Sequence, residues 1–433
     1  MSASALLVAG LSFGDEGKGS IVDHLVRKHA AHTVVRYNGA AQAAHNVVLS
    51  DGRHHTFSQF GSGTFVPGVR THLSRHMLVN PRSMWVENQH LIDLGILDAF
   101  DRTTVERGAL ITTPFQIAAN RMRENIRSGG RHGSCGMGVG ETMSDFLRDP
   151  KNAITVGDIA NPTVLRNKLK ASQDFKRVEF EAHQNFLPAY WETFVDDGLI
   201  DACMGWYTEF ADSVTIVDET YLPEALRDGT VVFEGAQGVL LDQSYGFHPY
   251  TTWTDITFKN AYNLLKGTDC SVRRIGILRA YATRHGAGPF VTEDKTLERP
   301  DLHNRWGEWQ ESFRVGHFDN VAARYAIDVV GGVDEIALTH LDRVDTKIPS
   351  CIGYELPSGE VTSRLPVSRP IVDDRQDEAL AKRLMASRPL YKVSPTTGAF
   401  VRSVETSLKV PIPLCSFGPT AEDKVERLEV DSV

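Results

Sequence analysis

ALLVAGLSFGDEGKGSIVDHL (5–25) reads as a buried strand over Ala5 to Leu11, a glycine loop carrying Asp15, Glu16 and Lys18, and an amphipathic helix from about Ser20. Strand, Gly-Lys loop and helix N-terminus in that order form an anion site. Backbone N–H groups and the helix dipole point at phosphate, and Lys18 adds a mobile positive charge. The loop is not a Walker A sequence, because Gly14 lies too close to Gly17 and Gly19 follows Lys18. Its unusual member is acidic. A carboxylate beside phosphate is repulsive unless it binds Mg²⁺ or moves a proton, which makes Asp15 the leading candidate for chemistry. Just downstream, VVRYNGAAQAAHNVV (34–48) carries a run of small residues (Gly39, Ala40, Ala41, Ala43, Ala44) that lets backbone approach a ligand closely beside His45.

Outward from this stretch, strand and helix signals alternate along the 433 residues, as they do in α/β proteins. Strands are expected at Ala5–Leu11, Thr33–Arg36, Val231–Glu234, Ile275–Tyr281 and Glu335–Thr339. Helices are expected to start near Ser20, Pro114 and Asp319, and residues 164–211, rich in Lys, Glu and aromatics, read as mostly helical. Between about 351 and 394 the pattern weakens. That stretch reads as an excursion rather than a linker, since it contains no repeat or low-complexity run. No domain boundary is visible, so residues 1–433 are taken as one domain.

Composition narrows the function class. With 41% hydrophobic and 23% charged residues, the chain is ordinary for a globular protein. A formal charge of −9 argues against a sequence-independent nucleic-acid binder, while leaving room for a local basic pocket. The five cysteines, Cys135, Cys203, Cys270, Cys351 and Cys415, form neither a Cys-x-x-Cys pair nor a disulfide framework, and a reducing cytoplasm is expected. No apolar run approaches the ~20 residues that span a bilayer, and no membrane partner is expected.

FGDEGKGSIVD followed by RYNGAAQAAHN resembles the signature region of the adenylosuccinate synthetase family, where WGDEGKGK-IVD precedes a GGxNAGHT segment. The resemblance returns, in the family's order, at FEGAQGVLLD (233–242), GILRAYATRHGAGPFVTE (276–293), EIALTHLDRVD (335–345) and VPIPLCSFGP (410–419). It implies one large α/β domain around a mostly parallel sheet, distantly like P-loop GTPases, with helical excursions and working as a homodimer. It further implies a ligase that phosphorylates the 6-oxygen of IMP with GTP and displaces the phosphate with L-aspartate.

Carried over residue by residue, Gly17, Lys18 and Gly19, with Gly14 and Glu16 of the same loop, would hold the triphosphate. Asp15 would be general base and Mg²⁺ ligand, with the Ala44 carbonyl as a second ligand, and His45 would stabilise the transferring phosphoryl group. Gln42, Ser134, Cys135, Gln237 and Thr252 would meet the substrate nucleotide, and Arg148 is the nearest candidate for an arginine lent by a neighbouring subunit. Thr339, His340 and Asp342 stand in the guanine-reading motif, opposite Ser416, Gly418 and Pro419.

Several positions depart from the family pattern. Ala44 replaces a Gly, Gln42 an Asn, Cys135 a Thr and His340 a Lys. The sharpest change is HNRWGEWQESFRVGHFD (303–319), where the family has an arginine-rich loop for aspartate and only Arg314 and Arg305 remain as candidates. Two or three lost charge-assisted contacts, at about 1.5–3 kcal/mol each, would cripple aspartate binding without compensation. Two other readings therefore stand beside the family reaction. One is a paralogue using another amine, another purine-like nucleotide or ATP; the other is a non-catalytic nucleotide-binding protein.

Overall fold

In the computed structural model, residues 3–127, 133–297, 299, 309, 312–344, 346–367 and 378–427 are described. The apolar runs read above become strands covered on both faces, which is why they lack polar alternation. In chain order the central strands are β1 (Ser4–Gly10), β2 (Thr33–Arg36), β3 (Arg70–Leu73), β4 (Thr103–Glu106), β5 (Thr215–Val217), β6 (Thr230–Gly238), β7 (Ser271–Arg279), β8 (Glu335–Thr339), β9 (Leu414–Ser416) and β10 (Lys424–Glu426). They form one sheet in the order β10-β9-β8-β7-β1-β6-β2-β3-β4-β5, parallel throughout except between β9 and β10. The expected α/β class with a large, mostly parallel sheet is what forms.

Helix α1 (Lys18–Lys28) packs Ile21, Val22, Leu25 and Val26 against Leu6, Val8, Val34, Val232 and Ile275 on one face of the sheet. Each fully buried side chain of this kind contributes about 1.5–3 kcal/mol. On the opposite face, Leu7, Phe233 and Leu278 share a core with Val321 and Ala326 of a later helix. Helix α1 begins two residues before the expected Ser20, because Gly17 at φ 89° supplies the turn into it. Strand β7 begins at Ser271, four residues before the expected start. Its first residues are exposed, and ladder pairing with Ser4 and Ala5 holds them rather than burial.

The helical stretch comprises α2 (Pro114–Arg127), α3 (Val139–Arg148) and α4 (Pro162–Phe180), followed by helices at Pro188–Val195 and Gly198–Ser213. Next, α5 (Asn320–Val329) is capped by Asp319, whose carboxylate accepts from the N–H groups of Val321 and Ala322. The weakly patterned region contains a small sheet of strands Ile348–Glu355, Val361–Thr362 and Arg388–Ser394. Its signal is faint because Ile352, Tyr391 and Val393 face outward. The parallel connections bring the carboxyl ends of β1, β6, β7 and β8 to one edge, where α/β proteins place their ligands.

Candidate active site

A cleft of about 1150 Å³ opens at that edge. The loop after β1 forms its floor. Gly17 leads into α1 with no side-chain cap, so the first amides of the helix remain available to an anion. Glu16 braces the loop from behind: its carboxylate accepts from the N–H groups of Ser12 (3.1 Å) and Gly14 (2.9 Å) and from Lys18 Nζ (2.6 Å). Any side chain at Gly10 would collide with that carboxylate, since a Cβ there would lie 2.3 Å from Glu16 Oε2. Asp15 holds a left-handed conformation (φ 59°), with its carbonyl accepting from Arg279 and Oδ2 lying 3.4 Å from His285 Nε2.

His45 stands on a short strand beside this loop, and its Nδ1 lies 2.5 Å from Glu234 Oε1 in the middle of β6. Ser62 donates to Glu234 through both N–H and Oγ. Burial would raise the Glu234 carboxyl, but His45, Arg36 and Ser62 outweigh it and hold the group at about 2. Burial lowers the imidazole to about 4 against the pull of Glu234. An ionised Glu234 therefore fixes the Nδ1–H tautomer, which leaves Nε2 for a ligand.

The pairing of β1 with β6 breaks between Val8 and Gly10, immediately after Glu234. That irregularity turns Gln237, at φ 55°, toward the cleft. Gly238 permits it: a Cβ there would lie 2.2 Å from Ser12 O. Both Gln237 Oε1 and Gln42 Oε1 are buried without a hydrogen-bond partner among the described residues, and both residues line the cleft. Buried acceptors left this way await a donor.

The far wall is the loop between α2 and α3. Asn120 Oδ1 accepts from Ser134 Oγ (2.9 Å) and from the Gly138 N–H (3.1 Å), pinning the loop to α2. Gly138 then leads into α3 with no side-chain cap, a second open helix N-terminus on the same cleft. Burial raises the Cys135 thiol, leaving it a weak, neutral donor. Thr252 lines the cleft beside Trp253.

At the other end stand Thr339, His340 (φ 59°) and Asp342, facing Ser416, Gly418 and Pro419. Thr339 Oγ1 donates to the Glu16 carbonyl, which ties the end of β8 to the phosphate loop. Asp15, Gln237 and His340 are non-glycine residues held at positive φ, and backbone strain of this kind gathers at functional sites.

The adenylosuccinate synthetase family model matches residues 7–425. An adenylosuccinate synthetase from Chlorobium phaeobacteroides is 31% identical, covering 98% of each chain, and one from Saccharopolyspora erythraea is 32% identical over 84% of each. The chain belongs to the adenylosuccinate synthetase family. Its members are carbon–nitrogen ligases that use GTP and Mg²⁺ to join IMP to L-aspartate. The fold matches that of the fully ligated adenylosuccinate synthetase from Plasmodium falciparum (TM-score 0.78, 20% identity, 97% and 99% of the two chains). It also resembles the succinoaminodeoxyadenylate synthetase of cyanophage S-2L, bound to dGMP and to dATP as an energy donor (TM-score 0.61, 17% identity, 100% and 98%).

Most of the synthetase residues named from sequence meet in this cleft, and three of the described ones do not. Glu16 lies behind the loop. Arg148 sits at the end of α3, stacked 3.4 Å from the Phe175 ring centre and paired with Asp145. Arg305 lies outside the described residues. Arg314 does not line the cleft: Glu293 grips it at two points, and the carbonyls of Gly286 and Gly288 accept from it. Sequence reasoning missed Glu234, His285 and Arg36 as site groups. Glu234 sat inside a quoted motif, but nothing local marks its partner 189 residues away.

Among the described residues, no group of three or more His, Cys, Asp or Glu is placed to hold a metal ion. The cleft instead offers the Asp15 carboxylate and the Ala44 backbone, few and hard oxygen donors that suit Mg²⁺ arriving on nucleotide phosphates. No helix among the described residues is long and apolar enough to cross a membrane.

Proposed function

We propose that this chain activates the 6-oxygen of IMP with the γ-phosphate of GTP and joins L-aspartate at C6, with Asp15, Lys18 and His45 as its chemical residues. The observation that carries this reading is the convergence of those three on one cleft with the unpartnered amide oxygens of Gln42 and Gln237. Gln237 and Gln42 orient the purine. Asp15 takes the N1 proton, and the electron pair released moves toward O6, which attacks the γ-phosphorus as GDP leaves. Lys18, His45 Nε2 and the amides of α1 stabilise the charge on the phosphoryl oxygens. The amine nitrogen then attacks C6, and phosphate departs with the bonding electrons. Asp15 and the Ala44 carbonyl would hold Mg²⁺, which would supply charge neutralisation for the phosphates.

In the same reading Ser134, Thr252 and the open N-terminus of α3 receive the 5′-phosphate. Arg148 serves the cleft of a second copy in a homodimer, which is supported by its position outside its own cleft among the exposed Leu147, Phe175 and Val178. Asp342 accepts N1–H and N2–H of guanine, with His340 against the base.

One observation favours a second reading, a different amino donor: Arg314 is neutralised by Glu293. A single panel separates the two, namely phosphate release and product mass with Mg²⁺, GTP or ATP, several 6-oxopurine nucleotides and several amines. A GTP-dependent adenylosuccinate mass supports the first reading. Product only with another amine or nucleotide supports the second, and no turnover across the panel refutes both.

A further inference from the structure

Lys424 is a buried cation outside the chemistry described above. It opens β10, and its Nζ donates to the carbonyls of Gly418 (3.0 Å) and Thr420 (2.6 Å). Those carbonyls flank Pro419, so one ammonium spans the turn that forms the wall opposite Asp342. The turn has other ties, including backbone bonds from Phe417 N–H to the Asp423 carbonyl (3.0 Å) and from Asp423 N–H to the Thr420 carbonyl (3.3 Å). Ser416 Oγ donates to the Gly418 carbonyl, and Asp423 Oδ2 accepts from Thr420 N–H and Oγ. Gly418 leaves no slack, since a Cβ there would lie 2.5 Å from the Asp423 carboxylate.

The same ammonium feels Asp423 and Glu422 of its own loop, Asp23 of α1 and Asp342 of the opposite wall. His24 of α1 meets the Ala421 carbonyl at 3.0 Å, and Lys28 pairs with Glu426, so the loop is also docked on the helix whose N-terminus faces the phosphates. A positive charge at this point ties the wall together and adds to Arg343, which pairs with Asp342 at 3.1 Å.

We infer that Lys424 is a positioning residue for the purine base of the energy donor, holding the Gly418–Thr420 turn at the spacing that lets Asp342 select guanine over adenine. This rests on the proposed assignment of that end of the cleft to GTP. Burial lowers the Lys424 ammonium to about 8 despite the surrounding acids. Raising the pH through that value removes a proton and weakens both carbonyl contacts, so the wall loosens on the alkaline side.

The test is Lys424→Met, which keeps the length and apolar stem of the side chain, assayed for KM and kcat with GTP and with ATP at saturating nucleotide monophosphate and amine. The expected result is a rise of about tenfold or more in KM for GTP, a kcat within about threefold of wild type, and a fallen GTP:ATP ratio of kcat/KM. Should the variant fail to fold, the wild type carries the test alone. Its KM for GTP rises between pH 7 and 9 while KM for the monophosphate stays level. A K424M enzyme with unchanged KM and nucleotide ratio, or a flat wild-type profile, overturns the inference. A wild type that prefers ATP, or turns over neither nucleotide, overturns the guanine assignment itself, and the inference with it.

Discussion

Replacing Glu234 by Gln tests the site at its least legible point. The substitution keeps shape but removes the charge that meets His45 Nδ1 at 2.5 Å and both donors of Ser62, and it turns one of the two accepting oxygens into an amide donor. Because Glu234 pulls the imidazole upward against burial, its loss drives His45 further below about 4 and frees the tautomer. A charge-assisted hydrogen bond is worth about 1.5–3 kcal/mol, and each ~1.4 kcal/mol is a factor of ten in rate. The phosphoryl-transfer step should therefore slow about 10- to 150-fold. Arg36, close enough to lower the Glu234 carboxyl, is left beside a neutral amide in a fully buried place, so some stability is lost as well. The assay is single-turnover phosphate release under saturating substrates, with thermal unfolding measured alongside. A rate within threefold of wild type, or a loss confined to KM, would refute the claim that Glu234 acts through His45 on the transferring group.

Three further outcomes are expected. Asp15→Asn should lower kcat about 10²- to 10⁴-fold, the usual worth of a general base, while fluorescent-nucleotide titration still shows GTP binding; retained turnover would remove Asp15 from the base role. Gly238→Ala should abolish nucleotide binding or folding of the phosphate loop, because its methyl would lie 2.2 Å from Ser12 O; normal GTP affinity would mean the loop is not seated on β6. Asp319 is raised from 3.8 to about 6 by burial, against Tyr354 and the two amides it caps. A carboxyl raised in the fold adds stability below pH 3.8 that is lost as pH rises through about 6, a difference of about 3 kcal/mol at most. Asp319→Asn, which still caps α5, should therefore gain in Tm relative to wild type more at pH 7.5 than at pH 5, and equal differences at both would contradict the buried-carboxyl account.

The central sheet was legible because parallel strands buried on both faces leave continuous apolar runs, as in ALLVAGL, TVVF and EIALT. The phosphate loop was legible because its chemistry is local: Gly, Asp and Lys within five residues of backbone define an anion site wherever they fold. Family membership followed from motifs of the same local kind, repeated in order along the chain. The small sheet around Ile348–Glu355 was obscured because exposed apolar residues, Ile352, Tyr391 and Val393, stand among its buried ones and break the apolar–polar alternation.

Sequence alone thus determined the class of fold and the family, and it named the glycine loop and the residue types proposed for the chemistry. Tertiary structure decided which charges answer which. Glu234 meets His45 across 189 residues, Arg314 is taken by Glu293 rather than left facing the cleft, and Lys424 closes on a turn opposite Asp342. The physical reason is that a charge's role depends on its nearest opposite charge and on its distance from water. Both are set by packing between distant segments, which no local pattern records.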